Sequence, residues 1–228
     1  MRNGYQFNTG KETTMDRYSI LKKVEESGVI AVIRLTDVKK LGQIVDALSA
    51  GGLNALEITM TTPGALDIMK TLSASLSEDF LIGAGTVLDS ETARMAILAG
   101  AQFIVGPTLN IDVIKMAHRY DKVVIPGAFT PTEILTAWDY GADVVKVFPA
   151  TAVGPKYFKD VKGPLPQVKL TPTGGVSLEN AAEFIRCGAF CLGVGSALLN
   201  KSMIAESDWD GLANNAKAFK DAVDQGRA

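Results

Sequence analysis

Histidine occurs once in the 228 residues, as His118, and cysteine twice, as Cys187 and Cys191. Such scarcity argues against an all-protein zinc site, which draws mainly on Cys and His, and against a disulfide scaffold. Long apolar runs are also missing. The longest, such as Val29 to Ile33, fall far short of the roughly 18 residues that a membrane span needs. Nor is there an excess of charge: 23 Lys and Arg against 25 Asp and Glu leave a net charge of -2. Bulk charge therefore draws the chain neither to nucleic acid nor to an anionic membrane. Met1 to Met15 contain no apolar stretch and cannot serve as a secretory signal. They read as a flexible extension ahead of one domain over residues 16–228, and the protein reads as cytoplasmic. The cysteines lie where a helix should end and an apolar strand begin, in IRCGAFCLG, so buried thiols are expected rather than a redox pair.

What the chain does have is a repeat of element types. Hydrophobic residues make up 47% of it, a globular proportion. Short runs rich in Val, Ile and Leu begin near Val29, Asn54, Phe80, Gln102, Lys122, Asp143, Gln167 and Phe190, and each ends at Gly, Pro or Thr. They have the character of strands buried on both faces. The segments between them carry helix signals: Thr62 and Pro63 ahead of ALDIMKTLSASL, Pro131 in the first turn of a segment ending at Gly141, and Ser177 opening one that ends at Gly188. Eight evenly spaced strand-helix units predict a parallel α/β fold, a (β/α)8 TIM barrel. A doubly wound open sheet could use the same alternation, but no switch point is visible. An extra helix, about Asp16 to Ser27, is expected to cap the barrel floor, and Asp208 to Ala228 to form the last helix.

Barrel enzymes place their chemistry at the C-terminal ends of the strands. Alternation decides which polar residues face inward. In NALEITM, Ala55, Glu57 and Thr59 share one face and the bulkier Leu56 and Ile58 the other; in DVVKVFP, Val144 and Lys146 oppose Val145 and Val147. Glu57 and Lys146 thus point into the barrel. An inward lysine can serve as an amine nucleophile or base; it can equally form a structural ion pair with Glu57, or bury only its stem. Position alone leaves these readings open. PTGGV, after the seventh run, and GVGS, after the eighth, each present glycines ahead of an expected helix start, the usual barrel phosphate site. A phosphate at the rim, with an amine and a carboxyl at the centre, suggests carbonyl chemistry on a phosphorylated small molecule. A sugar-phosphate epimerase or decarboxylase, or a non-catalytic phosphometabolite sensor, would share the cup.

LEITMTTP, GAGTVL, FIVGPTL, VIPGAFTPTE, VKVFPA, PTGGV and LGVGSAL follow one another through the chain from about Tyr18 onward. In that order they resemble the 2-keto-3-deoxy-6-phosphogluconate (KDPG) aldolase family, which includes 4-hydroxy-2-oxoglutarate (KHG) aldolases and phosphogalactonate-cleaving relatives. The resemblance implies that Lys146 forms a Schiff base with pyruvate and that Glu57 is the general acid/base. It also implies that Pro107 and Phe148 wall the pocket, and that Thr86 contacts the substrate carboxylate. Thr173, Gly174, Gly175, Gly195 and Ser196 would form the phosphate loops. No cofactor or metal is implied; the partners are a phosphorylated keto acid and pyruvate, and the assembly a homotrimer. Many members carry Arg four residues after the glutamate, where this chain has Thr61; Arg34, at the end of the first strand, is then expected to bind the carboxylate. An ion pair of Arg34 with Glu57 or Asp37 is the competing reading. The resemblance leaves the gluconate or galactonate epimer and KHG itself as candidate substrates. His118, late in a helix, reads as a solvated or interface residue, Trp138 and Trp209 as packing residues, and Lys22, Lys23, Lys39 and Lys40 as solvated faces.

Overall fold

The structure is a computed structural model and describes residues 15–34 and 38–228. Nine parallel strand segments fill eight positions among these residues. They are β1 (Val29–Ile33), β2 (Ala55–Thr59), β3 (Leu81–Gly85), β4 (Phe103–Val105), β5 (Val123–Ile125), β6 (Gly127–Ala128), β7 (Val145–Val147), β8 (Leu170–Pro172) and β9 (Leu192–Val194). β5 and β6 are one strand broken at Pro126, which has no N–H to give to a ladder. β5 pairs with β4 and β6 with β7, and the Pro126 carbonyl still accepts the Lys146 N–H at 2.9 Å. The other seam is closed by Phe190 N–H donating to the Leu170 carbonyl at 2.7 Å and by a parallel bridge between Thr173 and Gly193. β9 returns to pair with β1. The strands thus close into a barrel, and the open-sheet alternative falls away.

Alternation sorts the side chains as expected. Leu56, Ile58, Val145, Val147 and Leu170 join the layer beneath the helices, whereas Ile30, Ala55, Leu81, Phe103, Val123, Val144 and Cys191 pack together inside. The helix α1 (Arg17–Ser27) lies across the floor, with Ile20 and Val24 fully buried in that inner cluster. Burial of each stabilises by about 1.5–3 kcal/mol. Asp16 caps α1 by accepting the Ser19 N–H at 2.8 Å. The outer ring comprises α2 (Leu41–Ala50), α3 (Ala65–Ser75), α4 (Ser90–Leu98), α5 (Ile111–Arg119), α6 (Pro131–Asp139), α7 (Gly154–Lys162), α8 (Leu178–Arg186), a short α9 (Lys201–Glu206) and α10 (Trp209–Arg227). α10 packs on both α8 and α2 and completes the ring.

Some local expectations differ from the structure. α3 starts at Ala65 rather than at Pro63, because Gly64 adopts a left-handed φ of 69° that a helix cannot continue through. No helix follows GVGS directly: Leu198 and Leu199 N–H both turn back to the Gly195 carbonyl, at 3.0 and 2.9 Å, and α9 begins only at Lys201. Lys40 and Lys23 are not free solvated charges. Lys23 donates to the Glu78 carbonyl at 2.6 Å, and Lys40 to the carbonyls of Ile204 and Ala205 at 2.7 and 2.9 Å. His118 is half-buried beside Asp143, with Nε2 3.9 Å from its carboxylate; burial, with Arg17 nearby, holds its imidazole below the ordinary value. Trp138 packs on the core and Trp209 lies under Lys40, in agreement with a structural role. Both cysteines are free, and burial pushes the Cys191 thiol up to about 11. Asp37 lies outside the described residues.

Phe103 is fully buried in the barrel interior, and Gly83 leaves room for its ring: a methyl group on Gly83 would collide with it. Phe103→Ala should therefore cost about 3–5 kcal/mol of unfolding free energy, read from urea denaturation; a loss under 1 kcal/mol would mean that the interior refills without it.

Candidate active site

The inward positions of the strands, followed toward their C-terminal ends, reach the anticipated site residues. On β2 the series is Ala55, Glu57, Thr59; across β7 it is Val144, Lys146, Phe148; β1 leads through Ile30 and Val32 to Arg34. Glu57 and Lys146 are 2% and 5% exposed, so both ionisable groups sit inside the barrel wall. Register places Val32 and Gly83 beside Glu57, and Gly127 and Thr171 beside Lys146. The Lys146 ammonium lies 5.1 Å from the centre of the Phe148 ring, within cation–π reach. Among the described residues no ion pair within 4.0 Å joins Lys146 to Glu57. Burial pushes the Glu57 carboxyl above the ordinary carboxylate range, opposed by the charges of Lys146 and then Arg34. Such a carboxyl can hold a proton nearer to neutral pH than an exposed glutamate does.

Gly85, on the inner face of β3 and in register with Thr59, makes the carboxyl's position possible. A methyl carbon at Gly85 would lie 2.5 Å from Cδ and 2.6 Å from Cγ of Glu57. The same period of two that turned Glu57 inward also puts Leu81, Gly83 and Gly85 inside, and two glycines in an interior row signal that neighbours occupy their space. Thr86 follows at once, with a left-handed φ of 58° that is uncommon for threonine and ends the strand alternation.

An open cleft of about 950 Å3 lies at the carboxyl ends of β1, β7, β8 and β9. It brings together seven anticipated residues: Arg34, Phe148, Thr173, Gly174, Gly175, Gly195 and Ser196. Glu57 and Lys146 are not in its lining; they lie deeper along the same inner face. Thr86 and Pro107 stand at the ends of β3 and β4, also outside the lining, and Pro107 packs on Gly127. Gly174 and Gly175 have left-handed φ values of 89° and 72°, and side chains are disfavoured there. Gly195 is different, since a methyl group on it would meet nothing closer than the Val32 carbonyl at 3.9 Å. Its missing side chain leaves open space at the wall of the cleft. Lys40, Ser177 and Lys201 also line the cleft; Ser177 directly follows the PTGGV loop, whereas nothing local in the chain ties Lys40 or Lys201 to the site. Among the described residues no group of three His, Cys, Asp or Glu side chains could hold a metal ion, and no helix is long and apolar enough to cross a membrane.

Fold and cleft together are those of a barrel enzyme that works at the carboxyl ends of its strands. Residues 20–214 match the model of one family, the KDPG and KHG aldolases. The 2-dehydro-3-deoxy-phosphogluconate aldolase of Haemophilus influenzae is 33% identical over 205 residues, 90% of this chain and 96% of that protein. The 2-dehydro-3-deoxy-6-phosphogalactonate aldolase of Escherichia coli is 35% identical, covering 80% of this chain and 88% of the relative. A crystal structure of KDPG aldolase from Legionella pneumophila, with pyruvate captured as a covalent carbinolamine, superposes with a TM-score of 0.81. The two sequences are 30% identical, and the match covers 88% of this chain and 97% of that one. The chain belongs to the KDPG and KHG aldolase family and is an enzyme of the lyase class.

Gly85→Ala should displace the Glu57 carboxyl and lower turnover, on the order of a hundredfold for a misplacement near 1 Å. Adding Glu57→Asp, one methylene shorter, should restore part of that loss, whereas a merely unstable barrel would not be rescued. Arg34→Gln removes a positive charge that favours the ionised carboxyl. The Glu57 carboxyl should then titrate at higher pH, read by NMR of the labelled carboxyl carbon, and a downward shift would contradict the placement of Arg34.

Proposed function

We propose that this chain is a class I aldolase, with Lys146 as the amine nucleophile and Glu57 as the proton carrier. The observation that carries the reading is the burial of both groups on the inner wall, beneath an anion-suited cleft and without an ion pair within 4.0 Å between them. Lys146 Nζ attacks the ketone carbon of a 2-keto-3-deoxy acid, and proton transfers give a carbinolamine. Glu57 donates a proton to the departing hydroxyl, which leaves as water, and an iminium remains. The Glu57 carboxylate then takes the C4 hydroxyl proton, and the C3–C4 bond breaks. The electron pair flows into the iminium to give an enamine, and an aldehyde departs. Glu57 reprotonates C3, and water returns to release pyruvate and the free amine. Arg34 and Thr86 would hold the substrate carboxylate, Pro107 and Phe148 the walls, and Thr173, Gly174, Gly175, Gly195 and Ser196 the phosphate.

The substrate we favour is 2-keto-3-deoxy-6-phosphogluconate, giving glyceraldehyde 3-phosphate beside pyruvate, with KHG, which would give glyoxylate, as a further substrate. The galactonate epimer stays within the proposal, since relatives named for either epimer match this chain at comparable identity. A cytoplasmic homotrimer working without a cofactor belongs to the same reading; the exposed Leu88, Met95 and Leu98 around α4 offer an apolar face for the contact.

Reduction with borohydride in the presence of pyruvate should leave a three-carbon adduct on Lys146, read by peptide mass spectrometry. Absence of the adduct, or its appearance on another lysine, would sink the assignment. Glu57→Gln should lower kcat by about 10²–10⁴, the usual worth of a positioned acid/base, and slow the trapping. Unchanged turnover would remove Glu57 from the mechanism.

A further inference from the structure

Arg34, Lys40 and Lys201 line the cleft, and no carboxylate lines it among the described residues. The three cations differ in what they have left to offer. Arg34 sits at the end of β1, and its charge acts on Glu57. Lys40 donates to the carbonyls of Ile204 and Ala205 at 2.7 and 2.9 Å and contacts the Ser207 hydroxyl at 3.2 Å. An ammonium has three donors, so Lys40 brings charge to the cleft but keeps no proton for a ligand. Its bonds fasten the last turn of α9 to the start of α2.

Lys201 opens α9, and its ammonium makes no hydrogen bond or ion pair among the described residues. The backbone beneath it is fixed. Leu198 and Leu199 turn back to the Gly195 carbonyl, Asn200 Oδ1 accepts the Ser202 N–H at 2.9 Å, and Lys40 holds the far end of the helix. A free cation on a fixed base therefore lines the same cleft as Gly174, Gly175, Gly195 and Ser196. Neutral donors such as backbone N–H groups and a hydroxyl satisfy phosphate oxygens but leave most of the charge of a phosphate monoester, about -1.5 to -2 near neutral pH, uncompensated. A flexible lysine supplies that compensation as a point charge.

We propose that Lys201 is a specificity-determining residue that favours substrates ending in a phosphate monoester over shorter, unphosphorylated keto acids. This inference rests on the aldolase reading given above. The test uses the full chain, Lys201→Gln and Lys201→Arg, with 2-keto-3-deoxy-6-phosphogluconate and KHG as substrates and inorganic phosphate as a competing ligand. Lys201→Gln should raise KM for the phosphorylated acid about five- to twentyfold, as the loss of one charge-assisted contact would. Its kcat and its KM for KHG should change less than twofold, inhibition by inorganic phosphate should weaken, and Lys201→Arg should recover most of the selectivity. An unchanged KM for the phosphorylated acid, or an equal rise for both substrates, would overturn the proposal. If the wild-type chain releases pyruvate from neither acid, the aldolase reading fails on its own. Calorimetric binding of inorganic phosphate then still decides the role of Lys201, and equal affinity in wild type and Lys201→Gln would refute it.

Discussion

Placing a carboxyl and an ammonium inside one barrel wall is the constraint on which the rest of this structure turns. Glu57 and Lys146 are both buried, and no ion pair within 4.0 Å relieves the cost of taking them out of water. The interior around them has been opened accordingly. Glycine occupies two successive inward positions of β3, one filled by the Phe103 ring and the other by the Glu57 side chain. Below them an apolar cluster fills the interior, closed off by Ile20 and Val24 of α1. Polarity inside the barrel thus increases in one direction, toward the carboxyl ends of the strands.

The same direction organises charge. Arg34, Lys40 and Lys201 stand around the cleft, while Glu57 lies deeper on the inner wall. A cationic mouth draws an anionic ligand inward, and of its charges Arg34 joins Lys146 in tempering the rise that burial imposes on the Glu57 carboxyl. The cations differ in mobility as well as in place. Lys40 is committed to the backbone of α9, and this makes it a structural staple between the first and last strand-helix units. The acidic and basic residues at the floor, Arg17, Asp143 and His118, form a separate group that ties α1 and α5 to the start of β7.

Much of the fold was legible because period-two alternation and strand spacing are local properties. The orientation of Glu57 and Lys146 followed from the bulk of their immediate neighbours, as did the buried character of Cys191. Local signals failed where one residue overrode a pattern. Gly64 delayed α3, and the turn closed on the Gly195 carbonyl separated GVGS from any helix. Lys40 and Lys201 gave no sign of a shared wall, since they lie far apart in the chain and meet at the cleft only when the barrel closes.

The sequence by itself determined the strand-helix repeat, the inward faces of the strands and the order of motifs that marks the family, because each depends on side chains within a few residues of one another. Tertiary structure decided how the two seams at Pro126 and at Thr173–Gly193 are bridged, how near the Glu57 carboxyl comes to Gly85, and which cations around the cleft keep free donors. Those are distances between strands remote in sequence, and they are set by closure of the ring rather than by any local preference.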